Sequence, residues 1–474
     1  MTQKYFCINK ENCCTRRVWA LLYSDGSSQG LAGNTRLSRY APKIGVWIAF
    51  VSFLLFSSEG WTGGNETSKE DLLTLDSAVA GVVEDNPSLA EMKARSQAMV
   101  AIPSQVGTLP DPEVSFNALN FPVDTFDTGQ EPMTQLQLGI SQTIPFPGKL
   151  GLKSEAAEYE AEAALNDVDE TRLRLIRDVK ITWWQLFYLD RALEIVTANQ
   201  ELLRQFVEIA QTKYTVGEGL QQDVLLAQLE LSRFLDQEIQ LIGTRRNEMA
   251  RINALLDQPA NRTVQLPQNI DKQLLDIVSE PRLYKIADSS RPLLTKQRND
   301  IKAADARVDL AKKDYYPDFK LGAFYGFRDG NNPPPRTGSR PDFMTLKLSM
   351  NLPLFIDSKQ AKAVNQRTAE RLQRKYALQD EWGKVRAQIS TALADYERAR
   401  EQFVLFKTGI IPQARQTVAS MLAGYQVNKV DFLNLVRSQI TLFNYETRYW
   451  LAMAEAKQSL ARLIAAVGEE KVYE

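Results

Sequence analysis

The feature that most restricts what this 474-residue chain can fold into is that its second half rewrites its first. YTVGEGLQQDVLLAQ, from Tyr214 to Gln228, pairs with YQVNKVDFLNLVRSQ, from Tyr425 to Gln439, at an offset of 211. DNPSLAEMKAR from Asp85 pairs with SRPLLTKQRND from Ser290, which sets Pro87 and Pro292 205 residues apart. LPDPEVSF and YYPDFKLG match at the same offset of 205 through Pro112 and Pro317. LQLGISQTIPFPGK and LKLSMNLPLFIDSK then place Lys149 and Lys359 210 residues apart. Ordered blocks with slowly drifting offsets are the mark of a duplicated unit, so any fold for this chain has one design built twice.

Within each copy the apolar period changes from helical to alternating and back. Residues 72–102 and 282–313 read as helices, and each is followed by proline and two alternating segments. Val114, Phe116 and Ala118 alternate with Ser115 and Asn117; Leu136, Leu138 and Ile140 alternate with Gln135, Gln137, Gly139 and Ser141. Copy two gives Phe319, Leu321, Ala323, Tyr325 and Phe327, then Met344, Leu346, Leu348 and Met350 opposite Thr345, Lys347, Ser349 and Asn351. The expected strands lie near 112–121, 133–144, 317–327 and 343–353. Each reaches about 9 to 11 residues, enough for a tilted strand to cross the hydrocarbon layer with one face to lipid and one to water. A soluble sandwich has the same alternation, but here the strands come as two isolated hairpins in a helical chain. Their connections, FPVDTFDTGQEP and RDGNNPPPRTGSRP, are long and polar. Four strands cannot enclose a lumen and lipid tolerates no open edge, so several subunits share one barrel, and three supply twelve strands.

After each hairpin the chain turns, at FPGKLG or IDSK, into very long helices. Residues 152–216 hold neither glycine nor proline, and a continuous helix there is on the order of 100 Å long. The expected helices are 149–216, reversal at Gly217 and Gly219, and 220–258; then 358–424, interrupted near Gly409 and Pro412, and an unbroken stretch 425–467. Residues 59–258 thus form the first repeat, 259–281 a polar connector, 282–468 the second repeat and 469–474 a tail. Trp183, Trp184, Phe187 and Tyr188 lie at helical spacing and are expected to be core, and the many charges of the long helices are solvated faces.

Composition closes off other classes. A net charge of -1 leaves no basic excess for phosphates, so nucleic acid is not an expected partner. There is no histidine, and Cys7, Cys13 and Cys14 all precede the apolar run at 44–56, so the usual zinc ligands and the commonest general base are missing beyond it. No enzyme, cofactor or metal site is expected. Arg36, Arg39 and Lys43 followed by IGVWIAFVSFLLF have the order of a secretory signal, which makes 1–58 a leader. An uncleaved anchor or a buried helix is the alternative for that run.

LTLDSAVAGVVEDNPSLAEMKAR resembles the opening of the TolC-like outer-membrane efflux family, and SRPLLTKQRNDIKAADARVDLAKKDYYPDFKLGAFYG resembles the opening of its second repeat. YTVGEGLQQDVLLAQ and YQVNKVDFLNLVRSQ resemble its two helical-hairpin tips. The resemblance implies an α+β membrane protein in which a helix-strand-strand-long-helical-hairpin unit is duplicated. It further implies a homotrimer with a 12-stranded β-barrel in outer-membrane lipid, continuous with a periplasmic α-helical barrel. Such a subunit is the passive exit duct of a tripartite efflux system, opened by its partners. Its tip docks onto a periplasmic adaptor (membrane fusion) protein, and an inner-membrane pump supplies the energy. The PFPGK turn is similar to that of members serving heavy-metal pumps, so metals and drugs are the substrate classes implied.

By the same resemblance Gly217, Glu218, Gly219, Asn428 and Lys429 form the docking tip, with Asn428 where a glycine is usual. Asp223 and Tyr425 close the tip through a phenol-to-carboxylate hydrogen bond, although Asp223 also reads simply as an early-helix carboxylate favoured by the helix dipole. The paired aspartates that constrict the pore in many members align with Asn434 and Arg437, and Asp431 one turn earlier is a substitute carboxylate. The rival readings are a periplasmic adaptor, which carries one helical hairpin between halves of small β-domains, and a coiled-coil scaffold, which requires strict heptads and no strands.

Overall fold

The computed structural model describes residues 72–473. The expected signal sequence and the start of the first repeat lie outside the described residues.

Prolines, not loss of amphipathicity, set the first breaks. In place of one helix over 72–102 there are two, α1 (Leu75–Asp85) and α2 (Pro87–Val100), followed by a short third, α3 (Ile102–Gly107). Asn86, held extended ahead of Pro87, caps α2 by accepting the Ser88 and Leu89 amides. In copy two, α6 (Glu280–Ser290) and α7 (Pro292–Lys313) are separated by Arg291, extended for the same reason ahead of Pro292.

The strands are β1 (Glu113–Leu119), β2 (Gln135–Ile144), β3 (Phe319–Phe327) and β4 (Phe343–Met350), in one antiparallel sheet ordered β1-β2-β3-β4. The two copies therefore meet at the β2–β3 pair, where Leu138 faces Tyr325 and Ile140 faces Ala323. β1 and β4 are the sheet edges.

β2 leads through Gly148, at φ +90, into α4 (Lys149–Thr215), 67 residues without a break and on the order of 100 Å long. α5 (Gln221–Leu255) returns along it. β4 leads through a π-turn at Ile356–Gln360 into α8 (Ala361–Leu405), a second π-turn at Phe406–Ile410, and α9 (Ile411–Gln426). Pro412 has no N–H to offer its own turn, and the ladder widens just before it, with the Ile411 amide reaching back to the Phe406 carbonyl. α10 (Phe432–Val467) completes the second hairpin. The helix expected to run unbroken from 425 instead starts at Phe432, because Tyr425 and Gln426 still belong to α9 and 427–431 form the turn.

The main core lies midway along α4. Trp183 is 1% exposed, its indole N–H donating to the Leu73 carbonyl at 2.9 Å, and it stacks on Phe187. α1, the connector residues Val264 and Leu266, Phe403, Phe406 and Met453 close around this group. The connector is bound to the chain's end, where the Val278 amide donates to the Val472 carbonyl at 3.0 Å. Among the described residues no helix is long and apolar enough to cross a membrane.

Candidate functional site: the sheet faces and the hairpin tips

The strand registers sort the sheet into two unlike faces. Val114, Phe116, Leu138, Ile140, Leu321, Tyr325, Leu346 and Leu348 share one face, and all are substantially exposed, Val114 to 73% and Leu346 to 75%. A continuous apolar sheet face left bare is the reverse of what a water-soluble domain does. The other face carries Ser115, Asn117, Gln137, Ser141, Thr345, Lys347 and Ser349. On it the Phe324 ring covers two glycines, Gly139 of the neighbouring β2 and Gly322 of its own strand; a Cβ on Gly139 would fall 2.0 Å from the ring, and one on Gly322 2.7 Å. This aromatic cover of bare backbone was not read from sequence, where Phe324 simply interrupts the polar positions.

At the sheet-to-helix junction a buried cation joins the two copies. Lys149 lies 3.0 Å from both Asp314 and Asp318, and Asp318 also accepts the Phe146 amide at 2.8 Å. Phe146 stacks on Tyr316 with centroids 4.4 Å apart.

At the far end, the two hairpins turn by the same device. Gly217 has φ +78 and Asn428, 211 residues on, has φ +59. Asparagine tolerates the left-handed region better than other side chains, so the absent glycine does not change the turn. The Glu218 amide donates to the Lys213 carbonyl at 2.8 Å and the Lys429 amide to the Gly424 carbonyl at 2.9 Å, closing equivalent caps.

These turns bring the residue before the cap against the residue after it, and one of the two must be glycine. In the first tip the pair is Lys213 and Gly219, where a Cβ would sit 2.9 Å from the Lys213 Cβ. In the second it is Gly424 and Val430, where a Cβ would sit 2.5 Å from a Val430 methyl. The glycine has changed sides between the copies. Comparing the aligned tips position by position would have disclosed this exchange.

Lys213, another residue missed from sequence, ties one tip to the other. Its ammonium donates to the Tyr425 carbonyl at 3.1 Å and to Asn428 Oδ1, and lies 4.6 Å from the centre of the Tyr425 ring. The two hairpins pack through Phe206 on Phe432 and Phe234 on Phe443.

The expected hydrogen bond between Tyr425 and Asp223 is not formed. The Tyr425 hydroxyl is buried and has no partner among the described residues, because the ring turns inward against Phe432, 5.2 Å away between centroids. The two residues are nonetheless close enough to feel each other. Burial pushes the Tyr425 phenol up, and the Asp223 charge adds to this. Burial likewise raises Asp223, opposed by a backbone hydrogen bond at Leu220 and reinforced by the charge of Asp431. Asp431, at the N-terminus of α10, is exposed, as are Asn434 and Arg437 on the same helix, while Phe432, Leu435 and Val436 face the core. Gly217, Glu218, Asn428 and Lys429 are exposed at the turns, and Gly219 is half-buried.

Known proteins share this architecture. The Campylobacter jejuni CmeC outer membrane channel superposes with a TM-score of 0.71 at 15% identity, over 84% of this chain and 86% of that one. VceC, an outer membrane protein of Vibrio cholerae, superposes with a TM-score of 0.69 at 18% identity, over 83% of this chain and 96% of that one. Toxin and drug export protein A of Aggregatibacter actinomycetemcomitans is 24% identical over 197 residues, which are 39% of this chain and 40% of that protein. The chain thus matches about two fifths of the length of that relative. The family described as outer membrane efflux protein matches across both repeats, over residues 81–258 and 283–469. The chain belongs to the outer membrane efflux protein family.

Proposed function

We propose that three copies of this chain form an outer-membrane exit duct, a 12-stranded barrel continuous with a helical tunnel reaching into the periplasm. The observation that carries this reading is the sheet itself. Its apolar face is bare and both its edges are unpaired among the described residues, although it leads into a helix on the order of 100 Å long. Lipid covers the first defect and neighbouring copies remove the second. The polar face then lines the water-filled lumen.

In this reading the duct does no chemistry and consumes no energy. An inner-membrane pump supplies the export work, and a periplasmic adaptor docks on the exposed turns at Gly217, Glu218, Gly219, Asn428 and Lys429. Asp223 and Tyr425 lie where the hairpins close on each other, and Asp431, Asn434 and Arg437 border the constriction. Metals and drugs are the proposed cargo, supported by the PFPGK turn and by the export role in the name of the toxin and drug relative. An adaptor or a coiled-coil scaffold leaves a single four-stranded sheet with a bare apolar face without a purpose.

The test is to purify the protein from outer membranes in mild detergent, measure its mass by light scattering, and reconstitute it in planar bilayers. A trimer with stable ion conductance is expected. A folded monomer, or a trimer without conductance, overturns the proposal.

A further inference from the structure

The duplication makes the seam between copies legible from a seam already present inside one. Around the sheet-to-helix junction the order is α3 and β1, β2 and α4, α7 and β3, β4 and α8. The middle seam joins the end of β2 to the start of β3. There residues 144–146 are partly covered, Lys149 is buried, Phe146 stacks on Tyr316, and Lys149 bonds Asp314 and Asp318.

Each half of that seam has a counterpart left open. At the offset of 210, Ile144, Pro145, Phe146 and Lys149 become Leu354, Phe355, Ile356 and Lys359. All four are exposed, Leu354 to 76% and Phe355 to 72%. At the offset of 205, Tyr316 and Asp318 become Asp111 and Glu113, in the α3–β1 turn, which is exposed from Leu109 to Glu113. Among the described residues Glu113 uses only Oε2, in an exposed pair with Lys320 at 2.6 Å.

We propose that the β4–α8 junction of one copy docks on the α3–β1 turn of the next, with Leu354, Phe355 and Ile356 covered by that turn and Lys359 paired with its Glu113. The occupant is a second copy of this chain because the complement of each surface lies on the chain's own opposite edge. The apolar run meets a turn whose internal counterpart already covers Phe146, and the exposed Lys359 ammonium, without a partner among the described residues, meets the Glu113 carboxylate. Edge strands β4 and β1 come into pairing distance by the same rotation, since β2 and β3 are paired where the internal seam is formed. This assignment rests on the proposed ring of copies and adds which residues close it. It also gives the exposed Leu352, Leu354, Phe355 and Ile356 a purpose distinct from lipid contact.

Disulfide trapping tests the contact. Cys7, Cys13 and Cys14 are replaced by serine, and cysteines are placed at Asp111 and Ile356, the counterparts of Tyr316 and Phe146. Outer membranes are then oxidised with copper phenanthroline. Reducible dimers and trimers are expected from the double variant and from neither single variant. Phe146→Cys with Tyr316→Cys, expected to close within one chain, reports that the junction has folded and that the oxidant reaches it. If light scattering shows trimers and the internal pair closes, but Asp111→Cys with Ile356→Cys stays unlinked, this seam is wrong while the ring survives. If no trimer assembles in the parent protein, the ring itself fails and the seam falls with it.

Discussion

At the residue scale, the tips show how one backbone shape is reached with different side chains. Asn428 holds the left-handed position that Gly217 holds in the first copy, and its side chain accepts from Lys213 of the opposite hairpin. Asn428→Ala loses that bond and adds the left-handed penalty of a plain Cβ, together about 1 to 2 kcal/mol. Asn428→Gly loses the bond but removes the penalty. Tryptic cleavage after Lys429 in the native protein should therefore be fastest in Asn428→Ala, by roughly 5- to 30-fold over the parent, with Asn428→Gly between. Equal rates in all three would detach the Lys213 contact from tip stability. Tyr425 leads to an expectation opposite to that of a hydrogen-bonded gate. Its hydroxyl is buried without a partner among the described residues, so Tyr425→Phe should leave tip cleavage as slow as in the parent or slower. Faster cleavage would mean that the phenol finds a partner in the assembled protein. Asp223 provides a pH handle. Burial, with the Asp431 charge added, raises its folded pKa above the unfolded value, so the folded tip holds the proton more firmly than the unfolded chain. Tip packing should accordingly weaken as pH rises from the ordinary carboxylate range through the raised value, and strengthen again on acidification. Amide hydrogen exchange in residues 425–436, corrected for intrinsic rates, should follow this course, and Asp223→Asn should flatten it.

At the scale of elements, strand faces and long helices are the most readily anticipated parts. Alternation identifies the apolar side of each strand because a one-residue slip would turn every side chain over. The prediction that follows concerns adjacent positions of β4. Leu346→Arg places a charge on the bare apolar face, at a cost of about 2 to 4 kcal/mol near the bilayer midplane, whereas Thr345→Arg points to the polar face beside Lys347. Outer-membrane yield of heat-modifiable protein should fall for Leu346→Arg and hold for Thr345→Arg; equal yields would contradict the lipid and lumen assignment. Gln137 is a poorer probe than Thr345, since it is polar-facing but only 7% exposed. What sequence misplaced has definite causes. The breaks at Asn86 and Arg291 are dictated by the prolines that follow them, a local signal that helical periodicity overrides on reading. The start of α10 at Phe432 depends on the tip turn, whose counterpart in the first copy has its helix end at Thr215. The Phe324 cover and the Lys213 tie depend on neighbours brought together across strands and hairpins, and no pattern within one segment encodes them. The Tyr425 bond implied by resemblance is not formed among the described residues of one chain, where packing on Phe432 decides where the phenol points.

At the scale of the whole molecule, the proposed threefold assembly would turn single side chains into rings, and this makes the proposed entrance of the duct testable by ions. Asn434 and Arg437 are three residues apart on α10, both exposed and on the side away from Leu435 and Val436. In a ring of three copies Arg437 contributes positive charge and Asn434 none, so the site repels multivalent cations where a pair of carboxylate rings would bind them. Asp431 is the competing feature. It lies at the start of the same helix, exposed, and its charge is felt by Asp223. A single carboxylate ring beside an arginine ring is a weak site for a trivalent cation, because ligand count and net negative charge together set affinity for hard ions. Trivalent cations added from the tip side of a planar bilayer should therefore block the parent channel weakly. Asn434→Asp with Arg437→Asp replaces neutral and positive rings by negative ones on one face, and block should tighten at least about tenfold, which corresponds to about 1.4 kcal/mol. Raising the salt concentration should erode the gain, as expected for charges facing water. Tight block of the unmodified channel, abolished by Asp431→Asn, would move the constriction to Asp431 and remove Asn434 and Arg437 from it.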